Sequence, residues 1–72
     1  MEKIMATKPM DIASVVKQTR KAQGLTQAEL AGAANTGLRF IIDLEAGKPT
    51  CQIGKVLHIV NMLGISIELK QP

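Results

Sequence analysis

The sequence predicts an all-α fold of four to five short helices that ends in one short strand. The chain is 46% hydrophobic but has a single Phe and no Trp or Tyr, so its core must be aliphatic, and helices build such a core most readily. Four segments carry apolar residues at helical spacing together with a cap or a glycine stop. Residues 65–70 alternate strictly between apolar and polar, which is typical of a half-buried strand. With 72 residues, the chain forms one domain.

The first helix is expected to begin at Asp11, a favourable N-cap residue, and to run to about Gln23. Gly24 then takes the position at which a helix commonly ends. Residues 1–9, which precede this helix, are expected to form a loose, flexible arm with at most a little extended structure.

The second helix has the clearest local signal in the sequence. Thr26 and Glu29 form a capping box, in which each side chain accepts a hydrogen bond from the other residue's backbone amide. Leu25 and Leu30 are spaced as a hydrophobic staple around that cap. The helix is expected to end quickly, in the segment GAAN.

The third helix is expected to follow after a tight turn, with Asn35 or Thr36 as its cap. Gly47 closes it, and Pro49 prevents its continuation. Ile41 and Leu44 face inward. A short helix, a tight turn and a second helix with a polar outer face make a helix-turn-helix motif, whose second helix lies in the major groove of DNA in the proteins that use it.

The fourth helix is expected to be capped by Thr50, to run to about Leu63 and to stop at Gly64. Gly54 inside it costs about 1 kcal/mol relative to Ala, so close packing is expected there. The predicted apolar stripe consists of Ile53, Val56, Leu57, Val60 and Leu63.

The final strand needs a partner, because the backbone groups of a lone strand are left without hydrogen bonds. No second clear strand is evident in the chain. We therefore expect a two-fold dimer in which Ile65, Ile67 and Leu69 belong to a small antiparallel ribbon between two copies. The alternative is an irregular exposed tail.

Two segments carry a family resemblance. GLTQAELA followed by LEAGKPT, with Arg20 ahead of them, resembles the Cro/C1-type (XRE) helix-turn-helix family over about residues 11–64. GLRFIIDLEAGKPT followed by KVLHIVNMLGISIEL is similar to the HipB-type antitoxins within that family. The resemblance implies a lambda-repressor-like DNA-binding domain over residues 10–64, between the arm at 1–9 and a C-terminal dimerisation strand at 65–72 that pairs across a dimer.

The resemblance also implies roles for individual residues. Arg20 and Glu45 match the family's ion pair between the first and third helices, and Gln27 matches a Gln that bonds a DNA phosphate. Lys48 matches a phosphate contact after the third helix. Each of the three lysines is either a phosphate contact or an ordinary surface residue: Lys17, Lys21 and Lys48. The residues expected to meet base edges are Gly37, Leu38, Arg39, Ile42 and Asp43.

Among these residues Arg39 is best suited to recognise a base, because its guanidinium group can donate hydrogen bonds to guanine O6 and N7. The alternative is that it is only a solvated helix residue. Asp43 can accept a hydrogen bond from cytosine or orient Arg39. Leu38 and Ile42 can touch thymine methyl groups.

The expected function is that of a dimeric repressor of operator DNA, as the antitoxin of a HipA-like serine/threonine kinase toxin. The alternative is an interaction module of the same fold that binds a partner and little DNA. A net charge of +3 favours a polyanion only weakly. One His, one Cys and six carboxylates show no metal-ligand spacing and no nucleophile motif, so we expect no enzyme, metal or cofactor. The lone cysteine suits a reducing cytoplasm, and no apolar run approaches a membrane span.

Overall fold

The computed structural model describes residues 2–6 and 8–69, which form four helices with two short strands at their edge. This confirms the predicted helical class and the predicted short C-terminal strand. Lys70, the last residue of the predicted strand, lies outside the described residues. The elements in chain order are β1 (Glu2–Ala6), α1 (Pro9–Ala22), α2 (Gln27–Ala33), α3 (Leu38–Glu45), α4 (Ile53–Met62) and β2 (Ile65–Leu69).

The core lies where the four helices meet. Each helix contributes one of the largest fully buried side chains, which are Val16, Leu30, Ile41 and Ile59. Ile65 of β2 is buried against the same cluster. The helix-turn-helix unit is therefore packed on α1 and α4 through one continuous aliphatic core, which fixes the angle at which it is held.

Three predicted glycine stops are present. The glycines that follow α1, α3 and α4 are Gly24, Gly47 and Gly64. Each has a φ between +74° and +79°, a backbone conformation that residues with a side chain rarely adopt. At Gly47 a Cβ atom would also lie 2.6 Å from Cε of Met10, so the side chain of Met10 fills the space that the glycine leaves.

The expected start of the first helix at Asp11 is wrong. α1 begins at Pro9, whose fixed φ suits the first turn, and Lys8 is the N-cap. Asp11 is the third helical residue, and its Oδ2 accepts a hydrogen bond from the backbone nitrogen of Lys8 at 3.1 Å. The acidic residue thus stabilises the helix start from inside the first turn.

The expected cap of the third helix is also wrong, because Asn35 and Thr36 serve to end α2. Asn35 is left-handed, with φ 55°. Its nitrogen donates to Gly32 O at 3.2 Å, and Thr36 N donates to Ala31 O at 3.0 Å, which together form a Schellman motif. Gly37 is left as the N-cap of α3, without a side-chain hydrogen bond.

The fourth helix is shorter than expected. Residues 49–51 form a turn and a bend, so α4 begins at Ile53 after the N-cap Gln52, and Thr50 is not its cap. Ile59 is fully buried although the predicted stripe omitted it, whereas Ile53 and Leu57 are 64% and 45% exposed. A Cβ added at Gly54 would meet no atom within 4 Å, so the close packing expected there is absent from the described chain.

The expectation that the chain holds no second strand is wrong. β1, within the expected loose arm, pairs in parallel with β2, from Glu2 opposite Ile65 to Ala6 opposite Leu69. Most of the predicted arm is therefore regular structure, and its last residue, Pro9, begins α1. The two-stranded sheet leaves β2 with one edge that no described residue of this chain pairs.

Candidate nucleic-acid interface

The centre of the candidate interface is the pair α2 and α3, joined by residues 34–37. Leu30 and Ala31 of α2 and Ile41 and Leu44 of α3 are buried in the common core. The opposite side of α3 faces outward. A helix held in this way on a helix-turn-helix scaffold can enter a groove of DNA without any change in the core.

A buried ion pair ties α1 to the end of α3. Arg20 Nε lies 2.7 Å from Glu45 Oε2, and Nη2 lies 3.0 Å from Oε1, so the guanidinium binds the carboxylate with two parallel hydrogen bonds. The two side chains are 8% and 3% exposed. Arg20 Nη1 also donates to the carbonyl of Leu25 at 2.7 Å, just before α2. The hydrogen bond with Glu45 raises the pKa of Arg20, against the opposing effect of burial.

Gln27, expected to bond a phosphate, is held by the same carboxylate. Its Nε2 donates to Glu45 Oε1 at 3.1 Å. An amide nitrogen carries two hydrogens, so one remains to donate elsewhere. Glu45 therefore connects α1, α2 and α3 through Arg20 and Gln27, and it orients the side chain at the first position of α2.

The start of α2 has the predicted capping box. Thr26 N donates to Glu29 Oε1 at 2.8 Å, and Glu29 N donates to Thr26 Oγ1 at 3.0 Å. The hydrogen bond from the Thr26 backbone lowers the pKa of Glu29, and that of the hydroxyl adds to the effect. The cap fixes the helix start directly beside Gln27.

The structure places four of the five expected base-reading side chains on or beside the outer face of α3. The side chain of Arg39 is 81% exposed, and Leu38 is 45% exposed. Ile42 is half-buried, and Asp43 is 24% exposed at its side chain. Gly37, the fifth residue, is exposed at the N-cap and offers backbone only.

A second charged cluster, which we call the Asp43 cluster, consists of Asp43, Arg39 and Lys48. Asp43 Oδ1 lies 3.5 Å from Arg39 Nε, one helical turn earlier, and Oδ2 lies 3.4 Å from Lys48 Nζ. The backbone nitrogen of Lys48 also donates to the carbonyl of Asp43 at 3.1 Å. One carboxylate thus connects the expected base reader with an expected phosphate contact.

The other expected phosphate contacts lie on α1. Lys17 and Lys21 are exposed and four residues apart, so they share one side of that helix. The sequence interpretation missed Lys55 of α4, whose Nζ lies 5.7 Å from the centre of the Phe40 ring on α3. It also missed the bond of Gln27 to Glu45, since no spacing rule relates residues so far apart.

Within residues 2–6 and 8–69, no group of three or more His, Cys, Asp or Glu is placed to hold a metal ion. Over the same residues no helix is both long and apolar enough to cross a membrane.

The model of a helix-turn-helix family matches residues 16–70, which is most of the chain. The chain belongs to this family, in its XRE-type branch, whose members are DNA-binding transcriptional regulators and not enzymes.

The comparisons also give particular relatives. The chain is 59% identical over 64 residues to an uncharacterized HTH-type transcriptional regulator, y4mF, of Sinorhizobium fredii, and the match covers 89% of this chain and 84% of that protein. Its fold is similar to that of a HipB–O4 20mer complex, with a TM-score of 0.78, 24% identity, and coverage of 92% and 93% of the two chains. A HipA–HipB–O2–O3 complex gives the same TM-score, identity and coverage.

Proposed function

We propose that this chain is a homodimeric repressor that binds operator DNA and acts as the antitoxin of a HipA-like serine/threonine kinase. The observation that carries the DNA-binding part is the outer face of α3. Arg39 is 81% exposed there, on a helix whose other side is fixed by the buried Arg20–Glu45 pair. A rigid helix with one outward guanidinium is what direct reading of a guanine requires.

In the proposed complex, Arg39 reads a base edge, and Gly37, Leu38, Ile42 and Asp43 surround it at the groove. The remaining amide hydrogen of Gln27 and the ammonium groups of Lys17, Lys21 and Lys48 contact phosphates. Phosphate contacts supply most of the affinity, and base contacts supply most of the selectivity. Substitution of a phosphate contact should therefore lower mainly the affinity, and substitution of a base-reading residue should lower mainly the selectivity.

The proposed dimer uses the edge of β2 that lies opposite β1. Beside this edge lies an open groove of about 320 Å³ between α4 and β2, lined by Leu57, Val60, Asn61, Ile65, Ser66 and Ile67. A mostly apolar groove next to the outer edge of a two-stranded sheet suits an identical strand from a second copy. Such a pairing extends the sheet to four strands, with each β1 on the outside. Two recognition helices then lie about one DNA turn, ~34–36 Å, apart.

The antitoxin part is supported by the similarity of the fold to chains in complexes of HipB with operator DNA and with HipA. It places the protein in the cytoplasm, with the nucleoid. Co-expression with a kinase encoded beside this gene, followed by capture of the tagged chain, tests this part. We expect the kinase to co-purify and its growth arrest to be relieved, and a kinase that neither binds nor is relieved contradicts the antitoxin role.

The DNA-binding part is tested by fluorescence anisotropy with a duplex selected from a random library by the protein itself. We expect log Kd to depend linearly on log salt with a slope of about 0.9 per phosphate neutralised. An interaction module that barely binds DNA is the second candidate, and it is favoured by Gly37 and Leu38, which bring no hydrogen-bonding side chain to the outer face. Failure to enrich any duplex, or a flat salt response, supports that second candidate.

A further inference from the structure

The Asp43 cluster has a feature that base reading does not require. Its carboxylate is the only acidic side chain that α3 turns outward, and it divides its two oxygens between Arg39 and Lys48. A protein that relied on bulk attraction to DNA would gain from a neutral residue at this position, because the face of α3 is where the phosphate backbone approaches.

The two ion pairs of the Asp43 cluster are weak. Their N–O distances are 3.4 and 3.5 Å, longer than the 2.7–2.9 Å of a strong charged hydrogen bond, and both cations are more than half exposed. Exposed pairs of this kind contribute little to stability, so Lys48 can leave Asp43 for a DNA phosphate at little cost. The backbone bond from Lys48 N to Asp43 O keeps the lysine close while its ammonium group moves.

The two cations differ in what they can do once DNA is bound. Lys48, in the loop after α3, is placed for a phosphate, which is present in every sequence. Arg39 lies one turn before Asp43 on the helix itself, and Oδ1 of Asp43 faces its Nε, which leaves the two terminal nitrogens of the guanidinium for a guanine. Asp43 can therefore keep Arg39 directed along the helix while Lys48 is released.

We infer that Asp43 is a selectivity residue. It weakens binding to DNA of arbitrary sequence by placing a negative charge against the phosphates, and it strengthens discrimination by positioning Arg39 for one base. This inference rests on the proposed function, since it concerns how the same surface chooses among DNA sequences. The residue acts through Arg39 and through the local charge, without itself reading a base.

The test compares Asp43→Asn with the unchanged protein on two duplexes, the one selected from a random library and a scrambled duplex of the same composition. Asn keeps the size of the side chain and an oxygen that faces Arg39, and it removes the charge. We expect Asp43→Asn to bind the scrambled duplex about three- to tenfold more tightly at about 0.1 M salt, the size of one charge acting across a few ångströms of solvent. The ratio of the two affinities should fall severalfold, and the gain should shrink at high salt.

Glu2→Gln is the matched control, because it makes the same change in net charge at the start of β1, the strand that the proposed dimer leaves on the outside of its sheet. It should leave the affinity ratio unchanged. If Asp43→Asn changes neither affinity, or weakens both duplexes while its thermal unfolding is unchanged, the inference is wrong. If the unchanged protein selects no duplex at all, the proposed function has failed instead.

A double-mutant cycle with Arg39→Ala keeps the two effects of Asp43 apart. In the Arg39→Ala background, Asp43→Asn should still tighten binding to both duplexes, because the repulsion of phosphates remains. It should no longer change their ratio, because there is no guanidinium left to position. A ratio that still changes by as much as before means that Asp43 reads a base directly, which overturns the positioning role.

Discussion

The last turn of α3 carries two carboxylates with opposite environments. Asp43 and Glu45 are two residues apart and therefore project from nearly opposite sides of the helix. Glu45 faces inward, 3% exposed, and binds Arg20 at 2.7 and 3.0 Å. Asp43 faces outward, 24% exposed, and meets its two cations only at 3.4 and 3.5 Å.

Pairing between a carboxylate and cations therefore serves two purposes on this one helix. At Glu45, burial removes the competition of water, and three donor nitrogens from two residues, Arg20 and Gln27, fix one arrangement. At Asp43, water competes for every bond, so the arrangement is loose and can be exchanged for a DNA partner. The inner pair fixes the position of α3, and in the proposed function the outer pairs influence which DNA it binds.

The largest effect is expected from breaking the inner pair. Arg20→Ala leaves the Glu45 carboxylate buried without its main partner, which should lower the free energy of unfolding by about 3 kcal/mol. In a domain of this size that corresponds to a fall in Tm of more than about 10 °C. Thermal unfolding followed by circular dichroism measures it.

The control removes both charges together. Arg20→Met combined with Glu45→Leu leaves no unpaired buried charge, so it should recover a large part of the stability lost in Arg20→Ala. If Arg20→Ala proves as stable as the unchanged protein, the inner pair contributes no more than a surface ion pair.

The next effect should appear in binding and not in stability. Arg39→Ala removes a side chain that is 81% exposed, so the free energy of unfolding should change by less than about 0.5 kcal/mol. Discrimination against the wrong base should fall by about 1–3 kcal/mol, as is usual for a lost guanine contact. Anisotropy with the selected duplex and with single-base variants of it measures this loss.

Arg39→Lys separates the effect of the charge from that of the planar guanidinium group. Lysine keeps the charge but cannot offer the planar fork, so it should restore part of the affinity and little of the discrimination. If Arg39→Ala instead lowers Tm substantially and leaves the base preference intact, Arg39 belongs with the inner residues and the contrast between the two sides of α3 is lost.

The helix-turn-helix unit could be predicted from the sequence because its signals are local. The Thr26–Glu29 capping box lies within four residues, and the glycine stops at Gly24 and Gly47 follow from a backbone conformation that other residues disfavour. These rules depend on neighbours in the chain, and the structure shows the helices they predict.

The remaining errors have two causes, which are competition between two uses of one residue and partners that are distant in the sequence. Asn35 is a good N-cap by composition, but the end of α2 needs a left-handed residue there, and one residue cannot do both. β1 escaped detection because a strand of five residues, Glu2–Ala6, has no alternation strong enough to predict it, and its partner β2 is about sixty residues away. The bond of Gln27 to Glu45 is long-range in the same way.

The smallest effect concerns a third carboxylate, Glu29. It is exposed, yet it accepts a hydrogen bond from Thr26 N at 2.8 Å, close to the distances found at Glu45. Its bonds to Thr26 lower its pKa below that of an unfolded glutamate. The folded protein therefore binds this proton less readily than the unfolded chain. The resulting stability is present above the unfolded pKa and is lost as the pH falls through the folded pKa.

We expect Thr26→Ala to raise the pKa of Glu29 part of the way towards its ordinary value, because the hydroxyl is lost while the larger effect, that of the Thr26 backbone, remains. NMR titration of the side-chain carboxyl measures this change. Glu29→Gln preserves the capping box but removes the titration, so it should flatten the pH dependence of Tm in the acidic range without abolishing the helix. A Glu29 pKa that is the same with and without the Thr26 hydroxyl contradicts this account. A shift in the pKa of Glu29 would show that short hydrogen bonds can hold a carboxylate in place even at an exposed helix start. The weak pairing of Asp43 would then be due to its long N–O distances as much as to its exposure.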